Sequence, residues 1–213
     1  MSSFFDYAVS EEIIESNPAA KVKRPRVSNA PTNYLSDAQL NAFISTAFEA
    51  SPRDHAAAWL LGNGGMRVSE LIGAQIQDLV EIRGHRVLAV TVKGNRQREI
   101  PLALPAWDVI QSAIGDRTEG TILLTESGEP MNRYQADRMV RRLARAAGIE
   151  MKISPHTLRH SAATSMLAAK ADIRSVQKAL GHASPSTTER YLHLLTDLEA
   201  SPLYASAQAI MSV

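Results

Sequence analysis

The chain has 213 residues, room for one sizeable core and a small appendage. It contains no cysteine, which excludes disulfides, thiolate nucleophiles and cysteine-based zinc sites. No apolar run approaches the roughly 18 residues that span a bilayer, and the first residues lack the basic-then-apolar layout of a secretory signal.

Taken in chain order, residues 4–15 read as a short helix with Phe4, Phe5, Ala8, Ile13 and Ile14 apolar, closed at Asn17-Pro18 because a residue before proline leaves the α region. Lys21 to Asn33 combines prolines with clustered positive charge and reads as a linker. Ser36-Asp37-Ala38-Gln39 is a capping box that starts a helix. Ser51-Pro52 starts another, broken by the glycines at 62, 64 and 65. A short helix is predicted from Met66 to Ala74. Residues 87–92 and 97–102 read as strands joined by a turn at Gly94-Asn95, and 121–124 as a third strand. Helices follow over Leu104 to Ile114, from Asn132 to a stop at Gly148, from Ser154-Pro155 to about Ala169, and from Asp172 to Leu180-Gly181. Ser184-Pro185 opens one more helix carrying Tyr191, and residues 198–211 form a weakly amphipathic one. The fold class is α+β, predominantly helical, with a small antiparallel β-sheet.

Net charge is +1, which says nothing about nucleic acid because local clusters can hide inside a balanced total. Three basic stretches stand out, Lys21 to Arg26, Arg83 to Arg98 and Arg133 to Arg145, and each alone is more often a solvated face than a phosphate site. Several residues invite a chemical reading, each with a plainer alternative. His156 and Arg159 share a helix face in a first turn whose open amides favour an anion; they equally suit an ordinary helix start. Arg67 follows a glycine-rich break, with Glu70 one turn on to pin its guanidinium; a surface ion pair fits the same spacing. Lys93 sits at a hairpin mouth, where lysines are usually solvated. His182 lies in a loop and is uncommitted. His160 lies about 40° in helical phase from His156 and reads as a core or supporting hydrogen bond. Tyr191 is normally packing, and as a nucleophile its hydroxyl needs a base or nearby cations.

Order and context favour the chemical reading. Gly65-Met66-Arg67-Val68-Ser69-Glu70-Leu71, the hairpin Lys93-Gly94-Asn95 leading to Ile100-Pro101-Leu102, His156-Thr157-Leu158-Arg159-His160-Ser161, Leu180-Gly181-His182 and Thr187-Thr188 ahead of Tyr191 together resemble the tyrosine recombinase (phage integrase) family from about Asn17 to His193. One departure is visible: Gly64 stands where relatives often carry threonine.

The resemblance implies a tyrosine-recombinase-like catalytic domain over 35–197, preceded by the last helix of a truncated core-binding domain (1–17) and a basic interdomain linker (18–34). A tail helix (198–213) would dock on a neighbouring protomer. It implies that Tyr191 attacks the scissile phosphate to leave a 3′-phosphotyrosine, with Arg67 and Arg159 on the non-bridging oxygens. Lys93 would protonate the leaving 5′-oxygen, His156 would act as general base or proton shuttle, and His182 as a donor to the phosphate. Glu70 and His160 would support these groups. Lys21, Lys23, Arg24, Arg26, Arg96 and Arg98 are the candidate DNA contacts. No metal or other cofactor is implied. The partners would be double-stranded DNA at recombination sites, further copies of the chain in a tetramer, and an accessory directionality factor, in the cytoplasm of a bacterial host with nucleoid association and no membrane. A phage or mobile-element integrase is the expected function; a catalytically silent DNA-binding regulator and a type IB topoisomerase are the alternatives.

Overall fold

A computed structural model describes residues 2–22, 33–92 and 96–181. The chain divides into two compact units, Met1–Pro31 and Thr32–Val213. In the first, helix α1 spans Ser2–Ser10, shorter at its end than the 4–15 read from sequence. Ile13 N–H donates to Ala8 O (2.9 Å) and Glu12 N–H to Val9 O (3.1 Å), with Glu12 at φ +57. This is a Schellman stop built on a non-glycine residue, so no sequence signal announced it.

The second unit carries seven helices among its described residues: α2 (Asp37–Ala50), α3 (Pro52–Gly62), α4 (Val68–Gly73), α5 (Leu104–Ile114), α6 (Arg133–Ala146), α7 (Pro155–Ala168) and α8 (Ile173–Leu180). Their starts follow local chemistry. Ser36, Ser51, Asn132, Ser154 and Asp172 cap α2, α3, α6, α7 and α8 by accepting from backbone amides of the first turn. Proline occupies the opening turn of α3, α5 and α7, where its missing N–H costs nothing. Gly148 (φ +69) stops α6, as the sequence suggested.

Three antiparallel strands form one sheet in the order β1-β2-β3: β1 (Leu79–Ile82), β2 (His85–Val92) and β3 (Arg96–Pro101). Strand β1 adds to the strands expected from sequence. It joins β2 through Arg83 (φ +53) and Gly84 (φ +77), a two-residue turn with both central residues left-handed. Conversely, the third strand expected at 121–124 reduces to single bridges, Gln75 with Thr121 and Leu124 with Pro130. The β2–β3 turn at Gly94-Asn95 lies outside the described residues.

The core gathers Phe43, Leu60, Leu61, Met66, Leu71, Leu88, Ile110, Ile122, Leu143 and Leu158, all essentially without solvent contact. A smaller cluster of Ala163, Leu167, Val176 and Leu180 fixes α8 against α7. At about 25 cal/mol per Å² of apolar surface, such burial is the main stabilising term. It also holds the ends of α3, α7 and α8 and strand β3 close together. No described helix is long and apolar enough to cross a membrane.

Candidate active site

The site grows from the turn between α3 and α4. Gly65 takes φ +59, and a Cβ there would lie 2.5 Å from Leu180 Cδ2 and 3.5 Å from Ala162 Cβ. Glycine is therefore required twice over, for its conformation and for the closeness of α7 and α8. The tight turn delivers Arg67 to the N-cap of α4. Glu70 accepts from Arg67 twice: from its backbone N–H at Oε2 (2.9 Å) and from Nη1 at Oε1 (2.6 Å). The pairing read from i,i+3 spacing is present, with Glu70 buried and the Arg67 side chain 38% exposed. Arg67 Nη2 also donates to Gly181 O (2.8 Å).

Arg159 comes from α7 and is 4% exposed. Its Nη1 donates to Gly65 O (2.6 Å) and its Nη2 to Leu180 O (2.5 Å). His156 is the second residue of α7, in the amide-rich first turn, but Arg159 lies a turn deeper. The expectation that both sit at the helix mouth holds for His156 alone, because Arg159 is spent on bridging α7 to the glycine turn and α8. The rings of His156 and His160 meet at 4.0 Å between centroids, Nε2 to Nε2 at 2.8 Å, which requires one ring to donate and the other to accept. Surrounding protein, then the Arg159 charge, hold His156 below its ordinary value of 6.5, so neutral imidazole prevails at neutral pH.

Arg98 corrects the sequence reading. Taken as a DNA contact, it is instead 6% exposed. Nη1 pairs with Glu70 Oε2 (2.7 Å), Nε donates to Ala179 O (2.5 Å) and Nη2 to Gly64 O (3.0 Å). Strand period explains this. In β3, Arg98 and Ile100 point to the core while Gln97 and Glu99 face solvent. Reading that alternation outward from Ile100 would have put Arg98 inside. Burial, the largest effect, lowers the Arg98 pKa; Glu70 counters it and the neighbouring Arg67 charge adds to it.

The three arginines thus take three successive carbonyls at the end of α8: Ala179 from Arg98, Leu180 from Arg159 and Gly181 from Arg67. These are the carbonyls a helix end leaves without partners, at the negative pole of its dipole. Gly181 (φ +64) closes the helix. Beside this cluster a cavity of about 540 Å³ is lined by Val68, Arg133, Tyr134, Asp137, Ser154, Pro155 and His156. On α6, Arg133, Arg138, Arg141, Arg142 and Arg145 are exposed, Arg141 pairing with Asp137 (2.6 Å) and Arg142 with the buried Asp54.

Of the predicted residues, Arg67, Glu70, His156, Arg159 and His160 belong to this region, and Lys21 is exposed in the first unit. Lys93, His182 and Tyr191 lie outside the described residues, as do Lys23, Arg24, Arg26, the side chain of Arg96, the helix expected from Ser184 and the tail over 198–213. Among the described residues no group of three His, Asp or Glu is placed to hold a metal.

The model of the phage integrase family matches residues 33–197. The chain is 32% identical to the tyrosine recombinase XerD of Halalkalibacterium halodurans, covering 90% of this chain and 67% of the relative. It is 35% identical to the tyrosine recombinase XerC of Pelobacter propionicus, covering 92% and 66%. It spans about two thirds of the length of these relatives. Among solved structures, the XerA recombinase superposes with a TM-score of 0.70 at 29% identity, over 86% of this chain and 66% of that one. A lambda integrase dimer bound to a core site shares the fold at TM-score 0.67 and 22% identity, over 89% and 56%.

Proposed function

The chain belongs to the phage integrase family, and from that membership we propose that it is a site-specific tyrosine recombinase, breaking and rejoining DNA through a 3′-phosphotyrosine on Tyr191. One observation carries the reading: Arg67, Arg159 and the Leu180-Gly181 pair, three separate pieces of the family's sequence pattern, meet through direct hydrogen bonds.

In the proposed step the Tyr191 oxygen forms a bond to phosphorus as the bond to the 5′-oxygen breaks. The tyrosine proton passes to neutral His156, whose lowered pKa suits a proton acceptor. Lys93 supplies the proton to the leaving 5′-oxygen. Arg67 and His182 neutralise the charge growing on the non-bridging oxygens. At Arg159 a phosphate oxygen would replace a carbonyl partner, one acceptor for another. Since one phosphodiester replaces another, rejoining needs no nucleotide.

Double-stranded DNA as substrate, assembly of four copies on it, and the core-binding and tail assignments for residues 1–17 and 198–213 belong to the same proposal. The matched relatives are named for tyrosine recombination and not for integration. Phage or mobile-element integration is therefore the narrower version, resting on the sequence resemblance alone.

Nicked suicide duplexes tiled across the DNA bordering the gene, offered to the wild type and to Tyr191→Phe, test the reading. A covalent adduct on a denaturing gel that disappears in Tyr191→Phe is expected. No adduct on any duplex the protein binds would overturn the recombinase reading in favour of a DNA-binding regulator.

A further inference from the structure

Arg98 lies between parts of the site that come from different secondary-structure elements. It reaches Glu70 on α4, Ala179 O on α8 and Gly64 O on the glycine turn, while its own backbone is fixed in β3 opposite Val90. Glu70 has two carboxylate oxygens: Oε1 takes the Arg67 guanidinium, and Oε2 takes both Arg98 Nη1 and the Arg67 backbone N–H. Arg98 therefore orients the carboxylate that orients Arg67. Through Ala179 O it also pins the last turn of α8, whose next two carbonyls receive Arg159 and Arg67.

Resting on the recombinase reading, we propose that Arg98 is a positioning residue: it makes no contact with DNA but sets Arg67 and the end of α8 in one arrangement for phosphate. A buried ion pair is weak evidence for stability, and in some proteins such a pair is kept because it fixes one arrangement. Lysine cannot substitute, since one ammonium does not span acceptors on three segments as a planar fork does.

The test uses the full chain as Arg98→Lys, with Gly181→Ala as a second variant. The latter perturbs the same junction without altering charge, because its Cβ would lie 3.1 Å from Arg98 Cδ at φ +64. Three quantities are read: the rate of adduct formation at saturating nicked duplex, the duplex Kd with its salt dependence, and hydrogen exchange of the amides over 173–181 in the free protein. Both variants are expected to lose roughly 100-fold in adduct rate, as misplacement by an ångström costs. The Kd should stay within about twofold with an unchanged salt slope, and the α8 amides should exchange faster. A weakened Kd with a salt slope reduced by about one would mean a direct phosphate contact and overturn the proposal. Unchanged exchange over 173–181 would overturn it as well. If the wild type forms no adduct on duplexes it binds, the recombinase reading fails on that result, and the exchange data still decide whether Arg98 positions α8.

Discussion

Replacing Gly65 by alanine should cost far more than a methyl group suggests, and the same change at Gly73 should have the opposite sign. At Gly65 the backbone sits at φ +59, where an L side chain costs about 1–2 kcal/mol. The new Cβ would be 2.5 Å from Leu180 Cδ2. Leu180 is fully buried and cannot swing into solvent, so relief requires a shift of α8, which overpacking data put at about 1–3 kcal/mol. The sum, about 2–5 kcal/mol, corresponds to a fall in Tm of roughly 5–15 °C for a chain of this size. Gly73 ends α4, is exposed and has nothing within 4 Å of its would-be Cβ. Alanine there should stabilise by about 0.5–1 kcal/mol through loss of unfolded-state freedom. Urea titrations of both variants beside the wild type, read as midpoint and slope, measure the two effects. A Gly65→Ala protein within about 0.5 kcal/mol of wild type would refute the close approach of the glycine turn and α8.

Two more expectations follow from single contacts. Ser161→Ala removes the acceptor of the buried Leu35 N–H (2.8 Å) and should destabilise by about 1–3 kcal/mol in the same titration; a loss no larger than that of an exposed serine would contradict the bond. Because His156 is held below its ordinary 6.5, the unfolded chain binds more protons than the folded one between the two values. Stability should accordingly rise with pH through that window and level off above it. His156→Gln should flatten the urea midpoint between about pH 5 and pH 7 relative to wild type, and an unchanged slope would assign the titration to another group, such as His55, whose pKa burial also lowers.

Helix starts were legible because their determinants are local. Ser36 with Gln39, Ser51-Pro52 and Ser154-Pro155 each carry the cap and the first turn within four residues. Conformations that break residue-type habits were not legible. Glu12 and Arg83 hold positive φ where glycine would have signalled it, so α1 ran long and β1 went unseen. In the site, the pairing of Glu70 with Arg67 followed from spacing along one helix. Its second partner, Arg98, comes from a different element, and basic character in a hairpin suggested the outside. Only the two-residue period shared with Ile100 pointed inward.

Three guanidinium cations meet at the carbonyls that end α8, and one carboxylate, Glu70, pairs with two of them, Arg67 and Arg98. Mutual repulsion is felt within the group, since Arg67 contributes to lowering the Arg98 pKa. The excess positive charge burdens the fold in the absence of a counter-anion, and any anion that settles there relieves it. Thermodynamic linkage then makes the protein a reporter of its own ligand: sulfate, phosphate or a DNA backbone that binds the folded chain must raise its melting temperature in step with occupancy. The same field forms during folding and is in place before an anion arrives, so charge stabilisation at this point demands little reorganisation of dipoles.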